Sequence, residues 1–557
     1  MAETVSISIR NTGRKLLQLI NLEKKEVGQI YFFATLTGLI QLSLPLGIQA
    51  IIGLLFGGVL SASLVVLISV VVTGVLFSGI IQIMQMRVTE SIQQRIFTRL
   101  TFAYAHRIPR INLLSVDNYY LPELVNRFFD TASLQKGLSK LLLDIPAASI
   151  QILFGLVLLS FYHPVFIIFG VILLAIVCLI FYFSSHRGFT TSMEESDYKY
   201  QVGHWLEEIS RAIKTFKFSQ RHQLHMKKTD QLTVGYLDAR SAHFNILVFQ
   251  YRALIAFKVL VTAAMLIIGT LLFLNQQINL GQFIATEIII IAVLNSVEKL
   301  IISLETIYDV LTSIEKLDKV LQKPNDKELN SVNAEPIDLS ASLNVSVQNL
   351  SFSFNQRKPV INQLSFDIKP GEKVCISGAE GSGKTTLLRI IAGLYTGYSG
   401  QILVNGMPLQ NIPANAWRSR VAIFFAQEEL FNGTLWENLT LGDESINFAA
   451  IVETCQLVGL QTFIETQENG YQTILDPQGQ KLSYSVVQKI LLARCFLLKP
   501  ALLMMENGWQ GIEGEHRNLI INKLIHDKSF SLIAVSDLEE LTNSCDKIIT
   551  LNKEKTI

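Results

Sequence analysis

Before residue 305 the chain carries six apolar runs, each long enough to cross a bilayer. A hydrocarbon core of ~30 Å takes about 20 helical residues. The runs lie at Ile30–Leu54, Leu60–Met84, Leu141–Tyr162, Pro164–Ser184, Ala253–Leu274 and Gly281–Ser303. In hydrocarbon a backbone must satisfy its own hydrogen bonds, so runs of this length predict helices. Only 17% of the residues are charged and 50% are hydrophobic, against a charged share of about 25% in soluble domains. That balance argues for a lipid bilayer as solvent and against a large soluble core. A net charge of +1 gives nucleic acid no basic surface to bind. The five cysteines form no C-x-x-C pair and predict neither a metal set nor a disulfide framework.

The turns set the orientation. A short Gly-containing loop joins the first two runs, His163-Pro164 joins the next two, and NQQINLGQ joins the last two; none holds Lys or Arg. The tail and the segments 85–140 and 185–252 are basic, which puts them, and the C-terminal half, in the cytoplasm. Both long segments keep helical spacing, as in ESIQQRIFTRLTFAYAHRI and HWLEEISRAIKTFKF. The helices are therefore expected to leave the membrane, bend near Asn118–Pro122 and near Ser210–Lys214, and return. Those tips are placed to touch a cytoplasmic domain. Pro45 is expected to kink the first span.

Glu287 falls near the middle of the last run. A charge there is costly unless it faces protein or water. Two readings stand: a residue lining a translocation path, and a protonated or paired structural acid. Glu298, beside Lys299, is assigned to the helix extension, and Lys258 to snorkelling at a helix end.

After a helix ending near Leu321, QKPNDKELNSVNAEPIDLS is polar and without period, which reads as a linker. Beyond it, GAEGSGKTT fits G-x-x-x-x-G-K-[ST] with Gly378, Ala379, Glu380, Gly381, Ser382, Gly383, Lys384, Thr385 and Thr386. Glycines let a backbone wrap a phosphate, the lysine adds a cation at the β- and γ-phosphates, and the threonine hydroxyl ligates Mg²⁺. The context agrees: KVCIS precedes the loop as a buried strand and TTLLRIIAGL follows it as a helix. Strands are expected at VSVQNLSFSF, QLSFDI, KVCIS, GQILVNG, VAIFFAQ, PALLMM and SLIAVS. The cofactors implied are ATP and Mg²⁺. The expected fold is a membrane α-helical domain of six transmembrane helices with long cytoplasmic extensions (1–325), a linker (326–342) and an α/β P-loop nucleotide-binding domain (343–557).

Six spans, a linker and this loop resemble a half-transporter of the ATP-binding cassette (ABC) exporter family, over nearly the whole chain. LPLGIQAIIG and INLGQFIATE resemble the protein- and peptide-exporting branch. The resemblance implies two such chains pairing, with ATP held between the loop of one and a signature sequence of the other. It implies that Phe354 stacks on adenine, though a buried strand phenylalanine is the competing reading. It implies that Gln427, in FFAQEELFNGTLWENL, contacts Mg²⁺.

Three parts depart from the family pattern. The signature, normally Leu-Ser-Gly-Gly-Gln, reads LSYSV: Ser483 is kept, while Tyr484 and Ser485 stand for the glycines and Val486 for the glutamine. The strand that normally ends in Asp-Glu has two registers. One gives Glu506 at the Mg²⁺ acid and Asn507 at the general base; the other gives Met505 and Glu506. The later Ile512-Glu513 favours the first. Asn507 cannot take a proton as a carboxylate does. Asp537 stands where the family has a histidine on the γ-phosphate, and its charge repels phosphate. The resemblance thus implies an exporter subunit in a bacterial inner (cytoplasmic) membrane that binds ATP and hydrolyses it weakly or not at all. Its partner is a second half-transporter, as homodimer or heterodimer, with a periplasmic adaptor as a further candidate. The rival reading is a structural or regulatory subunit that binds ATP and transports nothing.

Overall fold

The computed structural model describes residues 9–56, 62–116, 121–218, 223–326, 343–354, 359–425, 430–479, 481–506, 512, 514–536 and 538–551. The chain forms two compact units, Met1–Pro109 with Tyr119–Lys323, and Arg110–Asn118 with Pro324–Ile557.

The first unit is helical: α1 (Ile9–Leu22), α2 (Lys24–Gln41), α3 (Ser43–Phe56), α4 (Ala62–Arg107), α5 (Leu121–Asn126), α6 (Asp130–Tyr162), α7 (Val165–Arg211), α8 (Ile213–Phe218), α9 (Leu224–Leu274) and α10 (Leu280–Leu321). Among the described residues, five stretches are long and apolar enough to cross a membrane: Lys24–Phe56, Ala62–Arg110, Leu121–Tyr162, Val165–Arg211 and Leu224–Leu274. The sixth expected run lies in α10, which packs on α6, α9, α7 and α3 and buries residues along its whole length, with Ile291 and Ile302 exposed. At 46, 47 and 51 residues, α4, α7 and α9 are each about 70 Å long. That is twice the hydrocarbon thickness, so they continue well outside it.

Local chemistry explains the breaks. The first span divides at Leu42, three residues before Pro45; Pro45 has no N–H for the Gln41 carbonyl, and its ring crowds that carbonyl. In the last turn, the Asn279 side chain accepts from the Gln282 amide at 2.8 Å, and the Gln282 side chain accepts from the Asn279 amide at 2.8 Å. This reciprocal cap starts α10. The second expected bend lies where α7 gives way to α8 at Ala212. At the first, residues 117–120 are outside the described residues and Pro122 sits in the opening turn of α5. The segment Arg110–Asn118 belongs to the second unit. Ile111 bridges to Asn325, the Asn112 side-chain amide donates to Thr396 Oγ1 at 3.1 Å, and Leu114 packs on that unit's core.

One assignment is corrected. Lys258 does not snorkel: its ammonium meets the Glu298 carboxylate at 2.5 Å, joining α9 to α10. Two opposite charges on facing helices neutralise each other where water is scarce, which a single helix cannot reveal.

The second unit has two main sheets. β1 (Val345–Phe352), β2 (Ile361–Ile368), β4 (Ser399–Val404) and β5 (Met407–Pro408) form an antiparallel sheet in the order β2-β1-β4-β5. β3 (Lys373–Gly378), β6 (Val421–Phe424), β9 (Leu502–Met505), β10 (Ser531–Val535) and β11 (Lys547–Leu551) form a parallel sheet in the order β11-β3-β10-β9-β6. β7 (Gly433–Thr434) pairs with β8 (Ile474–Leu475). Every residue of β9 and β10 is buried, as a parallel sheet covered on both faces requires. The helices are α11 (Lys384–Ile391), α12 (Ala414–Arg418), α13 (Leu435–Thr440), α14 (Phe448–Leu457), α15 (Gln461–Glu465), α16 (Tyr484–Leu497), α17 (Glu515–His526) and α18 (Glu539–Ser544). All seven expected strands form; the short β5, β7 and β8 and the edge strand β11 are additional.

Two glycines of α7 separate packing from propensity. A Cβ on Gly188 would lie 2.4 Å from the Tyr308 ring, which is 1% exposed and receives a hydrogen bond from Gln250. A Cβ on Gly203 would meet nothing within 4 Å. Gly188→Ala is expected to destabilise the protein by about 1–3 kcal/mol through overpacking. Gly203→Ala should raise helix stability by about 0.5–1 kcal/mol. Thermal melts of both variants in lipid discs check this; equal melting temperatures would refute it.

Candidate functional site

The phosphate loop is built by the strand before it and the helix after it. β3 lies between β10 and β11 in the parallel sheet, and its carboxyl end delivers Gly378 to the edge where α/β sheets hold ligands. Gly378 has φ +152°, and a Cβ there would meet the Leu551 carbonyl at 2.5 Å and Ser382 Oγ at 2.7 Å. Only glycine fits. Gly383, at φ +92°, turns the chain into α11 and leaves that helix with no side-chain cap. The free N–H groups of its first turn face outward with the positive end of the helix.

The polar groups around the loop have few internal obligations. Ser382 is 5% exposed, and its Oγ has no hydrogen-bond partner among the described residues. Lys384 folds back, its ammonium donating to the carbonyls of Gly378 at 2.6 Å and Ala379 at 3.0 Å. Ala379, Glu380 and Gly381 are exposed, and Thr386 is half-buried in the first turn of α11. The Thr385 hydroxyl donates to the Glu506 carboxylate. Glu506 follows β9, and its amide is held by the Phe424 carbonyl at 2.8 Å. An orphaned buried hydroxyl, a lysine bound only to its own loop, and a hydroxyl–carboxylate pair form the donor set of a triphosphate with a divalent cation. The residues present fit MgATP.

Phe354 is half-buried just beyond β1. Its ring meets Phe352 edge-on at 4.9 Å and Tyr395 edge-on at 5.7 Å. Ser483 is exposed and caps α16, accepting from the Val486 amide at 3.4 Å; Tyr484 beside it is 51% exposed. Gln427, Asn507 and Asp537 lie outside the described residues. Glu287 is in the first unit on α10, where its Oε1 is buried with no hydrogen-bond partner among the described residues. Thr385 and Glu506, both assigned to Mg²⁺ from the sequence, meet across 121 residues.

Comparison with known proteins accounts for both units. Residues 27–297 match the family model described as ABC transporter transmembrane region, and residues 361–507 match that described as ABC transporter. The leukotoxin export ATP-binding protein of Aggregatibacter actinomycetemcomitans is 27% identical over 293 residues, 52% of this chain and 41% of that one. The alpha-hemolysin translocation ATP-binding protein of Proteus vulgaris is 26% identical over 360 residues, 63% of this chain and 50% of that one. The colicin V secretion/processing ATP-binding protein of Escherichia coli is 27% identical over 228 residues, 41% of this chain and 32% of that one. The chain thus spans about a third to a half of the length of these relatives. In fold it is similar to a bacterial Atm1-family ABC exporter with ATP bound, with a TM-score of 0.82 and 17% identity, over 95% of this chain and 93% of that one. On these matches and the two units described, this integral membrane protein belongs to the ABC transporter family and has the fold of an Atm1-family exporter.

Proposed function

We propose that the chain is the weakly hydrolysing subunit of an ATP-driven exporter and works beside a more complete half-transporter. The observation that carries this reading is the hydrogen bond from Thr385 to Glu506. It supports Glu506 as the acid on the metal side of the loop, and so favours the register in which Asn507 follows as the residue at the general-base position. MgATP would supply binding energy that closes two nucleotide-binding domains. Lys384 and the amides of α11 would hold its phosphates, Ser382 would add a hydroxyl, and Thr385, Glu506 and Gln427 would hold the metal. Phe354 would take the adenine.

Asn507 has no proton acceptor for water, and Asp537 brings a negative charge towards the γ-phosphate. A general base is worth about 10²–10⁴ in rate. Paired with an intact relative, the composite site that borrows only Ser483 and its neighbours from this chain is the better one for hydrolysis. Relatives named for leukotoxin, colicin and hemolysin export support a peptide or protein as the exported substrate; others are named for a lipid, as is the lipid A-core flippase of Saccharophagus degradans, or for a glucan. The localisation proposed is a bacterial inner membrane, with residues 326–342 as the linker. The structural-subunit reading draws on Tyr484 and Ser485, whose side chains stand where close backbone approach to a partner's phosphate is needed.

Two measurements test this. Lys384→Ala removes a cation from the phosphates and should weaken ATP binding by about tenfold or more; unchanged affinity by equilibrium binding would sink the site. ATP turnover by this chain alone in lipid discs should equal that of Lys384→Ala. Asn507→Glu should raise it by at least about tenfold once the intact partner is present. Turnover of the unmodified chain well above the blank would overturn the weak-hydrolysis reading.

A further inference from the structure

The second unit holds a cavity of about 460 Å³ at the carboxyl end of α11, away from the phosphate loop. Its size is that of a small-ligand site. Its walls are largely apolar. Trp417, Tyr395 and Tyr398 bring three aromatic rings, and Ile390, Leu409 and Ile412 add aliphatic surface. Two of the rings have their polar ends engaged. The Trp417 indole donates to the Ile391 carbonyl at 3.0 Å, and the Tyr395 hydroxyl accepts from Arg389 at 2.9 Å. What these two offer the cavity is ring surface.

Among the described residues, one pair of charges borders the cavity, Arg418 and Asp326, and they meet each other at 2.8 Å. Arg418 also donates to the Gly393 carbonyl at 3.1 Å. The lining therefore carries no net charge. An ion entering it would shed water and find no free counter-charge. Neutral polar groups remain: the hydroxyl of Thr396 and the amide of Gln410, which is exposed and bonded to the Tyr398 hydroxyl. Hydroxyl and amide both donate and accept.

Ring surface with a few neutral donors and acceptors suits one class of ligand. It is flat, aromatic and uncharged, with an amide, a phenol or a ring nitrogen at its edge. We propose that this cavity binds such a ligand, and that the bound ligand tightens the hold of the nucleotide site on ATP.

The link runs through Tyr395. Its ring stacks on Phe352 at 6.0 Å with 14° between the planes, and meets Phe354 edge-on at 5.7 Å. Ile390 and Gly393 border the same cavity at the end of the helix whose first turn follows the phosphate loop. A ligand packed on Tyr395 and this helix end holds the ring that backs Phe354. Order already supplied by one ligand is order that the second need not supply. The effect on ATP rests on the reading above that Phe354 takes the adenine; binding of the aromatic ligand does not.

The test is equilibrium dialysis of the full chain in lipid discs, against empty discs, with three probes of one shape: benzamide, which is neutral, benzoate, an anion, and benzamidine, a cation. Benzamide should bind, and each ion should bind about tenfold more weakly or worse. Asp326→Asn leaves Arg418 without its counter-charge and should bring benzoate level with benzamide or above it. Ala414→Trp, on the cavity wall, should abolish benzamide binding, with retained ATP binding as the check on folding. Saturating benzamide should tighten ATP binding by about fivefold or more, and ATP should tighten benzamide by the same factor. Lys384→Ala should bind benzamide as the unmodified chain does, so a failed nucleotide site would not be mistaken for an empty cavity. Equal binding of the three probes, benzamide binding that survives Ala414→Trp, or no binding up to tens of millimolar would each overturn the site. Benzamide binding that leaves ATP affinity unmoved would overturn the link to the nucleotide.

Discussion

The first unit depends on how closely α6 approaches α10. Lipid tails are as apolar as leucine, so helices in a bilayer gain nothing from hiding apolar surface from them; they associate by packing and by polar contacts. Gly137 and Gly155 allow this approach. A Cβ on Gly137 would lie 2.5 Å from Val310 Cγ2, and one on Gly155 would lie 2.6 Å from Val293 Cγ2. Both valines are at most 1% exposed. Two glycines 18 residues apart thus seat β-branched side chains of α10 against α6 and hold the two helices close. The residues of α6 and α10 that line a polar cavity beside Gly137 inherit their spacing from that seat.

The nucleotide-binding unit depends on a different economy. β3, β9 and β10 are buried strands that end together, so the residues just past their ends converge however far apart they stand in sequence. This brings Glu506 to Thr385 across 121 residues. Glutamate reaches one methylene further than aspartate, and its carboxylate meets the hydroxyl directly. Lys384 and Ser382 differ from this pair: one is satisfied only by its own loop, and the other is not satisfied at all. A loop left with a cation and an unpaired hydroxyl is prepared for an anion and holds no substitute for it.

The sequence was most legible where one local rule decides. Run length marked the spans, Pro45 marked the break near Leu42, and NQQINLGQ marked the turn before α10. Continuous apolar runs marked the parallel strands. It was least legible where the answer lies in another element. β11 reads KIITL and is short and partly exposed, and only pairing with β3 makes it a strand. α1 escaped notice because its helix is settled by tertiary partners. Thr12 is buried and donates to Glu315, and Lys15 meets Asp318 at 2.7 Å. Lys258 looked like a snorkelling residue because Glu298, 40 positions on, could not be seen to face it.

The two acids of α10 show why that difference matters. Glu298 is answered inside the chain by Lys258, so its cost is offset and it serves as a strut between α9 and α10. Glu287, three turns nearer the start of the helix, has a buried oxygen that no described residue answers. A carboxylate at membrane depth costs about 2.5 kcal/mol or more when left alone. Residues of the same helix, from Thr306 to Ser313, line the polar cavity. α10 thus presents an unanswered acid within the membrane and a polar wall with one carboxyl, Asp309, beyond it, both on a helix that the glycines of α6 hold in place.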